Sequence, residues 1–371
     1  MSDTNQEGPE MGAKRADILE KIILCFDNSE TAITASKMSI KIAGLFGSSV
    51  VAVHGYNAVM HESAFKTMEP TLPVRYHEEE LMQKHRSSHT VLINVGMEKI
   101  SRSYLQPLEE KFVKESISFK TAVREGKNFI SVNGMINDED GDLVVIGVSG
   151  FNAARPGFLG SVCLRVLRGN DRNVLIVKKD VELDRPDIVV CLDGSSSASG
   201  ALKAAKKFAD KTGGQIHLVY VFDSTIHTEL FGRLKESLVN GDGFNFNGKE
   251  QEKIHDEFID KGLARVGRMI LDKAENEILG VDNTDALHGA GWGLVGEAQS
   301  TRCVKEVFAG HIYEKICEYA EKVNAAFVFT GRVGRHHCPG TDVGSVTENI
   351  ARYANTNVYV AKREEEAQWQ I

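Results

Sequence analysis

The sequence predicts an α/β protein made of two tandem copies of a parallel sheet with helices on both faces. Three observations carry that prediction. Short, continuously apolar runs alternate with helical segments, which is the pattern of strands covered on both sides. The first half of the chain is repeated in the second at a nearly constant offset. A glycine frame of fixed spacing closes each copy. Gly147-Val148-Ser149-Gly150 is followed by nine residues and Gly160-Ser161, and Gly331-Arg332-Val333-Gly334 by nine residues and Gly344-Ser345.

The first strand is Ile22-Ile23-Leu24-Cys25-Phe26, ending in Asp27-Asn28-Ser29-Glu30. Asp, Asn and Ser are natural caps, so a helix is expected from about Thr31 to Phe46, where Gly47 stops it. Val50 to His54 form the second strand, and a long, partly helical excursion leads to a third at Ile117 to Val123. Leu143 to Ile146 reads as the strand before the first glycine frame, and Val174 to Val177 as the last strand of the copy.

Residues from 185 onward restart this order. Ile188 to Leu192 ends in Asp193-Gly194-Ser195, a helix runs to about Asp210, Gly213-Gly214 stops it, and Ile216 to Phe222 follow as a strand. Asp27 falls on Asp193 at an offset of 166, which holds through His61 on His227, His89 on His255 and Gly96 on Gly262. Gly126 then falls on Gly310 and Gly147 on Gly331 at an offset of 184. The second copy thus carries 18 more residues, placed in the glycine-rich stretch at about 282–300. Its remaining strands are Val304 to Phe308, Phe327 to Phe329 and Val358 to Ala361. The expected domains are 18–181 and 185–363, divided by the charged, proline-ended segment Asp180 to Pro186; residues 1 to about 17 and the tail from Glu364 are expected to be disordered.

A chain of 371 residues with 42% hydrophobic content has material for two cores. Its formal charge of -8 favours neither nucleic acid nor an anionic membrane surface. The six cysteines form no CxxC pair, and Cys25 and Cys191 lie in apolar runs, as buried thiols of a reducing cytosol do. With no apolar stretch near the roughly 20 residues that span a bilayer and no signal pattern, a cytoplasmic protein is expected.

In an open parallel sheet, ligands bind beyond the carboxyl ends of the strands where strand order reverses. Asp27 and the first frame sit at such ends, as do Asp193 and the second. Glycines between a strand and a helix let the backbone approach a phosphate, which the N–H groups at the helix start can bind. Each charge-assisted hydrogen bond to phosphate contributes ~1.5–3 kcal/mol, so several outweigh a helix-dipole contribution of ~0.3–1 kcal/mol. The bland reading is that these glycines only close tight turns.

Asp27-Asn28-Ser29-Glu30-Thr31-Ala32, the two glycine frames, and the Asn-Val pairs at 173–174 and 357–358 together resemble the universal stress protein family over about residues 18–363, as a tandem pair of its ATP-binding branch. The resemblance implies a Rossmann-like sheet of order 3-2-1-4-5 in each copy, of the adenine nucleotide α-hydrolase-like class, with the copies packed about a pseudo-twofold axis through their last strands. The implied ligand is ATP or another adenine nucleotide, with or without Mg. The implied nucleotide-binding residues are Phe26, Asp27, Gly55, Gly147, Gly150, Gly160, Ser161 and Val162 in the first copy. In the second they are Leu192, Asp193, Val221, Gly331, Gly334, Gly344, Ser345 and Val346. By the resemblance, Asp27 and Asp193 meet the base and ribose, Gly55 and Val221 meet adenine through their backbone, and the glycines with Ser161 and Ser345 hold phosphates. Gly55 stands where the family usually has Val. The frame loops also differ, Phe151 to Leu159 being largely apolar and Arg335 to Val343 containing His336, His337, Cys338 and Asp342, so unequal sites are expected.

His336-His337-Cys338 offers zinc-type donors, but adjacent residues rarely converge on one ion and a fourth ligand is not evident, so no metal is expected. The repeated histidines, His61 with His227 and His89 with His255, read either as helix caps or polar contacts beneath the excursion, or as a pH-sensitive or metal-bridged contact between copies. The stripes Ile93, Gly96, Met97, Ile100 and Leu263, Val266, Met269, Ile270, Lys273 have the helical period of core contacts. The leading expectation is a tandem nucleotide-binding protein of stress response or signalling, with an unidentified protein partner and homodimerisation left open. The frames lack the lysine of a P-loop and offer no evident general base beside a water site, so efficient phosphoryl transfer is not expected, and the resemblance implies at most a slow ATPase. The competing readings are an adenylating enzyme of the α-hydrolase type, whose SGGxDS signature is absent from Cys25 to Ser29, and an interaction scaffold.

Overall fold

The computed structural model describes residues 19–150, 157–223, 261–280, 302–335 and 342–363. The termini, the 282–300 insertion, His227, His255 and the His336-His337-Cys338 run lie outside the described residues. In the first half the order is β1 (Lys21–Cys25), α1 (Glu30–Phe46), β2 (Ser49–Tyr56), α2 (Ala58–Met68), α3 (Glu79–Lys114), β3 (Phe119–Glu125), α4 (Asn128–Glu139), β4 (Leu143–Gly147), α5 (Ser161–Gly169) and β5 (Asn173–Val177). The second half runs β6 (Asp187–Cys191), α6 (Ser196–Thr212), β7 (Gln215–Phe222), α7 (Lys261–Leu279), β8 (Cys303–Ala309), α8 (Ile312–Lys322), β9 (Phe327–Gly331), α9 (Ser345–Tyr353) and β10 (Asn357–Ala361).

The strands form one ten-stranded sheet of order β3-β2-β1-β4-β5-β10-β9-β6-β7-β8. Each half therefore has the 3-2-1-4-5 order, and the two meet where β5 and β10 pair antiparallel, Ile176 opposite Val358. All other pairings are parallel. Continuous apolar strands suit this arrangement, because helices cover both faces: Ile22, Ile23 and Leu24 of β1 and every residue of β4 are buried. Each side of the sheet carries a core shared by the halves, and in one of these the Phe46 ring lies 5.0 Å from that of Phe208.

The repeated sequence produces repeated local structure. Helices α1 and α6 are both 17 residues long, capped by the Ser29 and Ser195 hydroxyls, and ended by Gly47 and Gly213 at φ 73° and 70°. Those left-handed angles are what glycine adopts without cost. Asn28 (φ 64°) and Gly194 (φ 81°) occupy the same left-handed position one residue after the aspartates.

The Asn-Val pairs have a role at the junction. Asn357 Oδ1 accepts from the Lys178 and Lys179 amides at 2.8 and 3.1 Å, and Asn173 Oδ1 accepts from the Lys362 amide at 2.9 Å. Each asparagine at the start of one last strand thus caps the exit of the other. The segment between halves is also tied down, since Lys41 Nζ bonds Asp180, the Val181 carbonyl and Glu182.

Two sequence expectations shift. Strand β3 covers Phe119–Glu125, so Ile117 and Ser118 lead into it. Ile117 is buried and its N–H bonds the Phe112 carbonyl at the end of α3, which delays pairing by two residues. The stripe assigned to core on α3 faces elsewhere: Ile100 is exposed, while Leu105, Leu108 and Phe112 supply the buried contacts. On α7 the buried residues are Gly267, Ile270, Leu271, Ala274 and Ile278, with Met269 exposed. Among the described residues no helix is long and apolar enough to cross a membrane.

Candidate functional site

Each half carries a cleft beyond the carboxyl ends of its strands, at the point where β1 has β2 on one side and β4 on the other, or β6 has β7 and β9. The first has a volume of about 480 Å³ and is lined by Phe26, Asp27, Gly55, Gly147, Gly150, Gly160, Ser161 and Val162 among others. The second, about 820 Å³, is lined by Leu192, Asp193, Val221, Gly331, Gly334, Gly344, Ser345 and Val346. All sixteen residues selected from sequence are thus brought together in two groups of eight. Both volumes fall in the usual range for small-molecule sites of roughly 300–1,000 Å³.

The aspartates are fixed by their own turns. Asp27 Oδ1 accepts from the Ser29 amide at 3.0 Å, and Asp193 Oδ1 from the Ser195 amide at 2.9 Å. Their second oxygens face the frames. A Cβ on Gly150 would lie 2.9 Å from Asp27 Oδ2, and one on Gly334 3.0 Å from Asp193 Oδ2, so only glycine leaves room for the carboxylate. In the second cleft Asp193 Oδ2 also accepts from the Arg335 amide at 3.0 Å.

The three glycines of each frame do different things. Gly147 and Gly331 serve packing, since a Cβ there would meet the backbone of Thr31, or of Ser197 and Ala198, at 2.7 Å. This close approach lets α1 and α6 lie against the sheet. The helix starts then hold the frame: Ser29 and Thr31 hydroxyls donate to the Ser149 carbonyl, and Ser197 Oγ accepts from the Arg332 amide at 2.7 Å. Gly160 and Gly344 are the N-caps of α5 and α9 and spend their own N–H on the Val148 and Arg332 carbonyls, both at 2.8 Å.

Having no side chain, Gly160 and Gly344 provide no cap hydrogen bond. The first bonds within the helices are Leu164 N to Gly160 O and Glu348 N to Gly344 O. The amides of Ser161, Val162 and Cys163, and of Ser345, Val346 and Thr347, therefore have no acceptor inside their helices. Three N–H groups at the positive end of a helix dipole, opening on a cleft, form an anion-binding end. The contrast with α1 and α6, whose serine hydroxyls take an amide each, is a property of sequence: Ser at one kind of helix start, Gly at the other.

The walls differ more than the frames. Met60, Met97, Ile100, Tyr104 and Val132 line the first cleft, so part of the excursion assigned to core faces the ligand space instead. His54 Nδ1 is bonded to the Phe26 carbonyl at 2.6 Å, and its ring meets Tyr104 edge-on. Ser149 Oγ is buried with no partner among the described residues. Among the described residues no lysine or arginine lines this cleft, whereas Arg168 and Arg335 line the second. Gly55 has a direct explanation. A Cβ there would lie 2.3 Å from Ser131 Oγ and 3.0 Å from the Asn128 carbonyl, because the first turn of α4 fills the space that a valine would take.

The thiols at the clefts are not activated. Burial pushes Cys25 and Cys191 far up and Cys163 to about 12, so none is a thiolate near neutrality. His61 lines the first cleft, and the His89 ring stacks on Phe65 with centroids 4.2 Å apart. No group of three or more His, Cys, Asp and Glu side chains capable of holding a metal occurs among the described residues.

Sequence reasoning missed two cations that cross between halves. Arg332, inside the second frame, is fully buried and donates through Nη1 and Nη2 to the Leu167 and Arg172 carbonyls at the end of α5. Lys178, after β5, donates through Nζ to the Arg352 and Ala354 carbonyls at the end of α9, at 3.2 and 2.6 Å. Each half supplies a positive group to the C-terminal end of the other's cleft helix. Positions 178 and 332 are not related by the repeat, which is why the repeat does not reveal them.

A family model described as the universal stress protein family matches residues 19–178 and 293–362. Among solved structures, the chain is similar to a functionally unknown protein from Pseudomonas aeruginosa PAO1, at 14% identity over 93% of this chain and 92% of that one, with a TM-score of 0.56. It is similar also to a universal stress protein from Archaeoglobus fulgidus, at 18% identity over 93% and 98% of the two chains, with a TM-score of 0.52. At such identities the likeness concerns the fold, and it extends over both halves. No curated protein sequence matches the chain.

Proposed function

The chain belongs to the universal stress protein family, and from that premise we propose that it is a tandem adenine-nucleotide-binding protein of stress response or signalling. The observation that carries the reading is the pairing, in both halves, of an uncapped helix start with an aspartate at the end of the half's first strand. The two groups suit opposite ends of a nucleotide. Amides of Ser161 to Cys163 and of Ser345 to Thr347 would take phosphate oxygens, and the carboxylates of Asp27 and Asp193 would accept from ribose hydroxyls or a base amine.

Gly55 and Val221 stand at the rims of the clefts, where their backbone groups are candidates for the base edge. In the first cleft Met97, Ile100 and Tyr104 add an apolar wall of the kind on which a base packs. A bound Mg ion would neutralise phosphate charge. The aspartates lie across the frame from the helix starts, and no further acidic cluster among the described residues offers it a complete protein cage.

This reading is of binding rather than turnover. The frames contain no lysine at the P-loop position, and Asp27 and Asp193 are committed to turns on one oxygen. Calorimetry with ATP tests it. Wild type is expected to bind, and Gly344→Val to lose the second cleft, since a branched side chain at the cap would stand in front of the α9 amides. Unchanged binding in both Gly344→Val and Gly160→Val would overturn the assignment of the frames.

A further inference from the structure

The second cleft is not made by the second half alone. Arg168, on the last turn of α5 in the first half, lines it together with Ser345, Val346 and Thr347 at the start of α9. Its Nη2 bonds Glu348, one turn into α9, which also pairs with Arg352 of its own helix at 2.6 Å. The Glu348 side chain is 16% exposed and that of Arg168 49%, so the acid is enclosed while the guanidinium keeps an open side. A guanidinium has five N–H donors, and among the described residues Arg168 uses one nitrogen.

The end of α5 that carries Arg168 is itself held by the second half. Arg332 lies within the second frame, and its guanidinium bonds the Leu167 and Arg172 carbonyls on either side of Arg168. One frame residue thus anchors the backbone that presents Arg168 to the cleft of that frame.

Among the described residues the first cleft has no equivalent. At the 184 offset Glu348 corresponds to Leu164 and Arg168 to Arg352, and no lysine or arginine among the described residues lines the first cleft. Formal charge alone does not separate the clefts: Asp27 lines the first, while Asp193, Asp223 and Glu348 offset Arg168 and Arg335 in the second. Placement does. Asp193 and Asp223 follow β6 and β7, whereas Arg168 stands at the anion-binding end beside α9.

We infer that the second cleft is a composite site in which Arg168 of the first half is a phosphate ligand, held in reserve by Glu348, and that it sets a preference there for nucleotides with longer phosphate tails. A polyphosphate draws the guanidinium away from Glu348, while a monophosphate ends short of it. This rests on the nucleotide reading above and adds which chemistry the second cleft selects.

The test compares ATP and AMP affinities of the full chain for Arg168→Gln and Glu348→Gln by calorimetry, with melting temperatures of both. Arg168→Gln is expected to weaken ATP binding about tenfold, the effect of losing one charge-assisted contact, with AMP changed far less. Glu348→Gln frees the arginine and is expected to tighten ATP binding. The two variants break the same ion pair, so a merely structural pair moves stability and affinity in one direction for both. Opposite changes in ATP affinity support the inference, and changes of the same sign, or none in Arg168→Gln, overturn it. Wild type that binds neither nucleotide would overturn the nucleotide reading itself, a result distinct from an unchanged Arg168→Gln.

Discussion

Lys178, partly buried, and Arg332, fully buried, show how much of this molecule turns on single cations withdrawn from water. Burial lowers Lys178 from 10.5 to about 8 and Arg332 to about 10. For Lys178 the consequence falls in an accessible window. Below pH 8 it is charged in both states, and its desolvation opposes folding in full. Between pH 8 and 10.5 the folded chain has released the proton and the unfolded chain still holds it, so stability rises with pH. Cys317 and Cys163, which face it, titrate later, at about 11 and 12. Urea unfolding at pH 7 and pH 10 should show wild type gaining up to ~3 kcal/mol relative to Lys178→Met. A difference that does not change with pH would contradict this. Gly55 gives a second prediction at this scale. Gly55→Val forces a side chain against the Asn128 carbonyl and should cost ~1–3 kcal/mol in chemical denaturation. Ser131→Ala in the same chain should recover part of the loss by removing the hydroxyl nearest the new Cβ.

At the scale of elements, the two cleft helices look alike in sequence and differ in tolerance. A Cβ at Gly160 would lie 3.0 Å from Ser149 Cα and 3.1 Å from the Val148 carbonyl, whereas at Gly344 the nearest atom is 3.5 Å away. Gly344→Ala should therefore leave the stability in urea unfolding within about 0.5 kcal/mol of wild type, and Gly160→Ala should lower it by ~1–3 kcal/mol. Equal shifts would mean that the two frames are closed with the same tightness. Most elements were legible because their signals are local. Ser29 and Ser195 mark helix starts, Gly47 and Gly213 mark helix ends, and the apolar runs mark strands. What was not legible depends on which face of an element meets which neighbour. Met97 and Ile100 have the same helical spacing as a core stripe, and only the packing of α3 on the sheet turns them toward the cleft. The sixteen residues named from the resemblance line the two clefts, and Arg168, which lines the second as well, was not among them, because its partner Glu348 lies 180 residues away in the other copy.

At the scale of the whole molecule, the halves share one sheet and the core on each of its faces, and the asparagines at 173 and 357 lock the strand exits across the junction. Wild type should then unfold in a single calorimetric transition, with Asn173→Ala and Asn357→Ala together separating it into two. Two transitions in wild type would mean that the junction adds little to what each half holds alone. The same junction carries Arg332, Lys178 and Arg168 from one half to the cleft helix of the other, so duplication has produced two clefts that are alike in backbone and unlike in wall and in where their charges stand. The central claim, that both clefts are nucleotide sites, is tested most directly by native mass spectrometry of the intact chain titrated with ATP. The predicted result is a first nucleotide adduct followed at higher concentration by a second, and a chain that stays free of nucleotide throughout the titration would contradict the account.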